Sequence, residues 1–366
     1  MSAAPVLKPE ATIGILGGGQ LGRMLALAAA RLGFRCHAYS PEADSCAFDV
    51  MHHSTSAPYE DKAALARFAD AVDVITFEFE NIPAETAAFL AARKPVFPDP
   101  LALEKTQDRL VEKNFITDLG IATAPFALVE SRGDLLQAMT TIGIPSVLKT
   151  RRLGYDGKGQ KMIGPKDNPV AAWADLNNSS CILEGFVPFE REISVVAARS
   201  RYGQVECFDV SENEHRNHIL KTSRVPALIS DDYVVEARAI TEKIANALGY
   251  VGVLAVEMFV VGQGSGPAVM VNEIAPRVHN SGHWSIDGCT VSQFEQHIRA
   301  IAGWTLGKPI RHGHVEMTNL IGTEVNDIGR WLGEPGVAVH LYGKTDPRPG
   351  RKMGHVTRVT PPGGKA

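Results

Sequence analysis

The chain has 366 residues, too many for one ordinary core and suited to two or three domains. Its 37 Lys and Arg against 41 Asp and Glu give a net charge of −4. That argues against broad contact with nucleic-acid backbone, yet leaves room for a local pocket that takes a small anion. No run approaches the roughly 18 apolar residues of a membrane span, and the opening MSAAPVLKPE lacks the marks of a secretion signal. The five cysteines (Cys36, Cys46, Cys181, Cys207, Cys289) form no CxxC pair, so reduced thiols in the cytoplasm are expected rather than cysteine-bound metal.

Residues 1–100 alternate strand and helix: strands at 12–16, 35–39 and 74–77, helices at 21–32 and 61–71. Such alternation implies a doubly wound parallel sheet. Gly17, Gly19 and Gly22 satisfy GxGxxG between the first strand and helix, a loop that offers backbone N–H groups to an anion. The second strand ends Tyr39-Ser40-Pro41, without the acidic residue that a nicotinamide dinucleotide requires. The loop therefore reads as touching some other phosphate or ribose, or as serving helix–strand packing alone. Glu78 falls at the carboxyl edge of this sheet, where open α/β folds bind ligands; the plainer alternative is a helix N-terminal carboxylate. Pro95, Pro98 and Pro100 close the unit, and 101–119 reads as one linking helix.

The texture changes after residue 126. A helix at 133–142 precedes a strand at 146–150 that carries Lys149, and then comes Gly154-Tyr155-Asp156-Gly157-Lys158-Gly159-Gln160. Glycines around a lysine can fold over a triphosphate, but no GK[ST] follows, so this is not a Walker A loop; a polar hairpin turn is the alternative. Short strands are expected at 181–184, 192–198, 205–210 and 220–225, and a long helix at 231–248.

Strands at 252–261 and 268–274 follow. If they form a hairpin turning about Ser265, Glu257 stands opposite Glu273, with Cβ atoms roughly 5 Å apart. Two like charges so placed call for a cation, and magnesium bridging nucleotide phosphates fits; otherwise both face solvent at a twisted edge. In the next run, Arg277, His279 and Asn280 suit an anion pocket. His279 and His283 lack the HExxH glutamate of a zinc helix. Strands are expected at 315–321, 337–341 and 356–359, with Lys344, Arg348, Arg351 and Lys352 as a phosphate clamp or simply solvated charge.

Taken in order, GGGQLGRM, TFEFENIP, GYDGKGQ, NEIAPRVHNSGHW and PGRKMGH resemble the N5-carboxyaminoimidazole ribonucleotide synthetase family of the ATP-grasp superfamily, from about residue 12 to 357. The resemblance implies an α/β and α+β architecture. A doubly wound preATP-grasp domain would cover 1–100, a linking helix and ATP-grasp domain with lid 101–310, and a small C-terminal β-rich domain 311–366. It implies a homodimer acting on ATP, bicarbonate and 5-aminoimidazole ribonucleotide with Mg2+, and no nucleic-acid or membrane partner.

By motif position, ATP falls to Arg109, Lys149, the lid residues Gly154, Tyr155, Asp156, Gly157, Lys158, Gly159 and Gln160, the hinge Glu184, Gly185, Phe186 and Val187, and Glu192, His215, Asn272 and Glu273. Glu257 and Glu273 match the metal ligands. Arg277 and Asn280 would hold bicarbonate or carboxyphosphate, with Lys149 and Asp156 also catalytic. Gln20, Leu21, Glu78, Tyr155, Asp156, Lys344 and Arg351 would hold the ribonucleotide. The family also lacks the third metal ligand that many ATP-grasp enzymes carry, and that position here is Ala275. Another ATP-grasp ligase, such as formate-dependent glycinamide ribonucleotide transformylase, shares the scaffold. A nicotinamide dehydrogenase or a non-catalytic nucleotide-binding protein would be the rival from another class.

Overall fold

The structure is a computed structural model that describes residues 5–154, 157–262 and 268–362. Among the described residues the strands form three sheets. The first is parallel, in the order β3 (His53–Ser56), β2 (Arg35–Ser40), β1 (Thr12–Leu16), β4 (Val74–Phe77). TIGIL and VITF are buried almost throughout, as strands covered on both faces must be. The helix Gln20–Arg31 packs one face of its Ala- and Leu-rich sequence inward through Leu21, Met24, Leu25, Ala28 and Ala29.

The second sheet is antiparallel: β5 (Phe126–Val129), β8 (Cys181–Gly185), β6 (Ser146–Thr150), β7 (Gln160–Ile163). The glycine-rich segment is thus the connection of a β6–β7 hairpin, and Gln160 belongs to β7, paired with Lys149.

The third sheet comprises β9 (Arg191–Arg199), β10 (Val205–Cys207), β11 (Ser211–Arg216), β12 (Ile219–Val225), β13 (Gly252–Val260), β14 (Val269–Ala275), β15 (His314–Ile321), β16 (Val337–Leu341) and β17 (Lys352–Thr360). Its order is β14-β13-β9-β11-β12-β15-β17-β16, with β10 beside β9. β12 pairs with β15, so the chain beyond residue 310 adds three strands to the same sheet. Successive residues of β13 feed opposite cores. Val253 and Ala255 join Phe294 and Ile298 of the helix Gln293–Ala302, while Leu254, Val256 and Met258 join Ala237 and Ile244 of the helix Asp231–Ala247. Glu257 continues the first of these alternations.

Two expectations change. The linking helix is two, Pro100–Thr106 and Arg109–Asp118, because Asp108 accepts from Leu110 N–H and Val111 N–H and starts a new helix. Asp108 also pairs with Arg151 at 2.8 Å, which ties this break to the end of β6. Second, the expected 205–210 strand stops at Cys207, and β11 follows with the sequence SENEHR. Polar at every position, it has no apolar alternation to announce it; its Asn213 and His215 line the cavity.

Candidate active site

A cavity of about 870 Å³ is lined from all three sheets. That volume lies in the upper part of the range for small-molecule sites.

At the first sheet, the glycine loop already holds an anion. Gly19 N–H donates to Glu78 Oε1 at 2.7 Å and Gly22 N–H to Glu78 Oε2 at 3.0 Å. Glu78 therefore caps the helix Gln20–Arg31 from the end of β4, and the carboxylate fills the place that a dinucleotide pyrophosphate would take. A Cβ at Gly17, where φ is +109°, would meet Glu78 Cγ at 2.5 Å, which explains the glycine. Burial pushes the Glu78 carboxyl upward against the opposing pull of the two N–H groups. Gln20, Leu21 and Glu78 all line the cavity. Lys344 and Arg351 are not among its lining residues. Lys344 Nζ donates to Gln20 Oε1 at 2.7 Å, and Arg351 donates to the Asp346 carbonyl at 3.0 Å. Lys352, in the same basic cluster, does line it.

The second sheet brings Lys149 and Glu184 together at 2.9 Å, with Lys113 3.7 Å from the same carboxylate. Burial pushes Glu184 up, but the two ammonium groups outweigh it and hold the carboxyl at about 2. Lys113 is buried and also donates to Asn272 O at 2.8 Å; in the sequence it is one more lysine of a helix, with no motif around it. Gly185, Phe186 and Val187 line the cavity beside Val147, Met162 and Phe259, an apolar wall suited to a flat base. Gly154, Gly157, Lys158 and Gln160 line it too, whereas Gly159 does not. Tyr155 and Asp156 lie outside the described residues.

On the third sheet, Glu192 and His215 hydrogen-bond to each other on adjacent strands. Burial draws His215 down, but the Glu192 bond and the nearby Glu257 prevail and raise it.

Glu257 and Glu273 are directly paired across β13 and β14. Burial first, then the facing Glu273, pushes the Glu257 carboxyl up. Arg109 lies 3.2 Å from Glu273, and the His279 ring lies 3.7 Å from Glu257. Burial drives His279 well below its ordinary value, with Arg277 and Lys352 reinforcing, so its ring is neutral and does not offset the Glu257 charge, whereas Arg109 pairs with Glu273. Two carboxylates beside the Asn272 amide form an oxygen donor set that fits a hard divalent cation. Among the described residues no cluster of three or more His, Cys, Asp or Glu side chains forms a metal cage. Magnesium, which keeps waters and substrate phosphates as ligands, does not need one.

Arg277 and Asn280 share the cavity wall with His279. The Arg277 guanidinium forks onto Glu80, Nη2 donating to Oε1 at 2.9 Å and Nε to Oε2. Glu80 comes from the loop after β4, so this ion pair closes the first unit against the third sheet. Sequence reasoning passed over Glu80 as a site residue, although it stands two residues after Glu78.

Sequence profiles of known families match almost the whole chain: a ribonucleotide synthetase preATP-grasp domain over 10–107, an ATP-grasp domain over 114–294, and a phosphoribosylaminoimidazole carboxylase C-terminal domain over 316–363. The chain is 51% identical over 357 residues to N5-carboxyaminoimidazole ribonucleotide synthase of Brucella melitensis, covering 97% of this chain and 98% of that one. It belongs to the N5-carboxyaminoimidazole ribonucleotide synthase family. The fold agrees. The crystal structure of an N5-carboxyaminoimidazole ribonucleotide synthetase in complex with ADP superposes with a TM-score of 0.93 at 41% identity, over 97% of this chain and 94% of that one. A family structure from Aspergillus clavatus, in complex with ADP and 5-aminoimidazole ribonucleotide, gives 0.89 at 28% identity, over 96% and 94%. This family membership sets aside the dehydrogenase reading of the glycine loop, in accord with the loop's occupation by Glu78.

Proposed function

We propose that the cavity uses ATP and bicarbonate to carboxylate the 5-amino group of 5-aminoimidazole ribonucleotide, giving N5-carboxyaminoimidazole ribonucleotide, ADP and phosphate for purine synthesis. The observation that carries this reading is the facing pair Glu257–Glu273 in a single cavity shared by Lys149, the 184–187 segment and the 17–21 loop. One bound nucleotide and a second anionic ligand can thus meet without leaving the protein.

Bicarbonate is a poor electrophile. Attack of its oxygen on the γ-phosphorus expels ADP and gives carboxyphosphate. Attack of the amine on the carboxyl carbon then expels phosphate, and the amine loses a proton. Carboxyphosphate hydrolyses readily, so water must be kept out until the amine arrives, a task suited to the glycine-rich connection 154–160. Arg109, Lys149, residues 184–187, Glu192 and His215 hold ATP. Arg277 and Asn280 hold the bicarbonate-derived anion, and Gln20, Leu21, Glu78, Lys344 and Arg351 serve the ribonucleotide together with Tyr155 and Asp156. Glu257 and Glu273, with Asn272 beside them, would hold magnesium, which offsets the charge of the phosphates. The protein acts in the cytoplasm as a homodimer, as the resemblance implies; sedimentation equilibrium checks the dimer. No helix among the described residues is long and apolar enough to cross a membrane.

The test is ADP release with bicarbonate and the ribonucleotide omitted in turn, with 13C-bicarbonate followed into the product carbamate. Full turnover requires both. Turnover that needs formate and glycinamide ribonucleotide instead would assign the chain to the transformylase chemistry.

A further inference from the structure

Asn280 makes its polar contacts with a residue from the far end of the chain. Its Nδ2 donates to Asn319 Oδ1 at 3.0 Å, and Asn319 Nδ2 donates back to Asn280 Oδ1 at 2.7 Å. Asn319 lies on β15 and is fully buried. It occupies the strand that joins the C-terminal segment to the central sheet.

A primary amide can sit in either of two orientations, and only its partners decide which. Here the partners decide. Asn319 Nδ2 also donates to the Leu220 carbonyl at 2.9 Å. A carbonyl can only accept, so the NH2 end of Asn319 must face Leu220 and its oxygen must face Asn280. That in turn forces Asn280 to present its NH2 to Asn319 Oδ1 and its oxygen to Asn319 Nδ2. One N–H of Asn280 is left over, on a side chain that lines the cavity. The backbone at Asn319 is held as well: Lys221 Nζ donates to Asn319 O at 2.8 Å and to Glu324 at 2.6 Å.

We propose that Asn319 is a positioning residue that locks the Asn280 amide as a hydrogen-bond donor toward the anion in the cavity. Through Asn319, β15 then acts on the carboxyl-transfer site without itself touching substrate. This rests on the reading that Asn280 faces the bicarbonate-derived anion. If the amide could flip, it would offer that anion an acceptor for part of the time, and the anion would be repelled.

The experiment is a double-mutant cycle on kcat/KM for bicarbonate, with Asn280→Ala, Asn319→Leu and the double variant, and KM for ATP measured alongside. Each single variant should lose about 10-fold or more for bicarbonate, the size of a lost hydrogen bond to an ion, while KM for ATP stays within about twofold. The double variant should be no worse than Asn280→Ala, because Asn319 has no effect except through Asn280. If the losses multiply, or if Asn319→Leu moves both KM values together, Asn319 is a packing residue and the proposal fails. If Asn280→Ala alone is silent, it is the placement of the anion at Asn280 that fails. Asn319→Ala is the second variant: it removes both amide contacts to Asn280 without adding charge or bulk, and it should reproduce the loss for bicarbonate with KM for ATP unchanged. Failure of both Asn319 variants to fold would make the pair a folding element and overturn the proposal.

Discussion

Glu257 faces Glu273 because Asn272 is an extra residue in its strand. Nearer the turn, Val260 pairs with Val269 and Met258 with Val271; past the irregularity, Glu257 pairs with Glu273 and Ala255 with Ala275. Without that bulge Asn272 would take the place opposite Glu257, and Glu273 would move to the other face. The bulge is held from outside the hairpin. Lys113 takes the Asn272 carbonyl, Ala122 O receives Val271 N–H, and Glu112 receives Ile274 N–H at 2.7 Å.

The acidic pair therefore predicts an asymmetry between activity and stability. Glu273→Gln should cut turnover at saturating MgATP by on the order of 100-fold, because a cation ligand is lost. It should leave the melting temperature nearly unchanged, because the repulsion with Glu257 is relieved. Steady-state kinetics and thermal unfolding of the metal-free protein check both halves. Wild-type turnover would remove these carboxylates from the site.

Gly157 carries a second prediction. Its φ is +76°, and an added Cβ would meet His218 Cβ at 2.4 Å. Gly157→Val should reduce ATP turnover about 10-fold or more, with thermal stability falling far less, since the residue lies in the connection between β6 and β7 rather than in a core. Parallel loss of both would show the segment to be only a hairpin turn.

The ribonucleotide end separates two cations. Lys344 is bonded to Gln20, which lines the cavity, whereas Arg351 is bonded to the Asp346 carbonyl. Lys344→Ala should raise KM for aminoimidazole ribonucleotide about 10- to 100-fold and Arg351→Ala by less, with KM for ATP nearly unchanged in both. Burial lowers Lys344 to about 8, so in the wild-type protein ribonucleotide binding should weaken as pH rises from 7 to 9. Ribonucleotide binding measured by calorimetry at pH 7 and 9 tests this, and an unchanged affinity counts against Lys344.

Acid stability offers a fourth test. His297 is buried, accepting from Val253 N–H at 3.0 Å through Nδ1 and bonding Thr76 Oγ1 at 2.8 Å through Nε2. Burial lowers it from 6.5 to about 3. The unfolded chain therefore binds a proton that the folded one refuses. Stability from the neutral ring is complete above about pH 6.5 and is lost as pH falls toward 3, by an amount on the order of a few kcal/mol. Urea unfolding between pH 7 and 5 should show this slope, and His297→Gln, though less stable at pH 7, should flatten it by close to one proton.

Much of this architecture was legible in the chain. TIGIL and VITF are strands because they are short, mainly apolar runs, the first followed by three glycines and the second preceded by a helix. The same holds for 337–341 and for the alternation of β13. The family motifs carried most of the candidate site, and a turn about Ser265 puts Glu257 opposite Glu273, although the ladder nearest the turn runs one residue out of that register and the bulge at Asn272 restores it. What local pattern could not decide was every feature that depends on a partner far along the chain. A carboxylate at the end of β4 fills the glycine loop; Lys113 reaches Asn272 across 159 residues, and Arg277 reaches Glu80 across 197. Asn319 fixes Asn280 from the C-terminal strands. Hydrophobic periodicity records which face of an element is buried, since burial of apolar area is paid for locally at every turn of the pattern. A hydrogen bond between buried polar groups leaves no period at all, and only the closed tertiary structure decides which two groups meet.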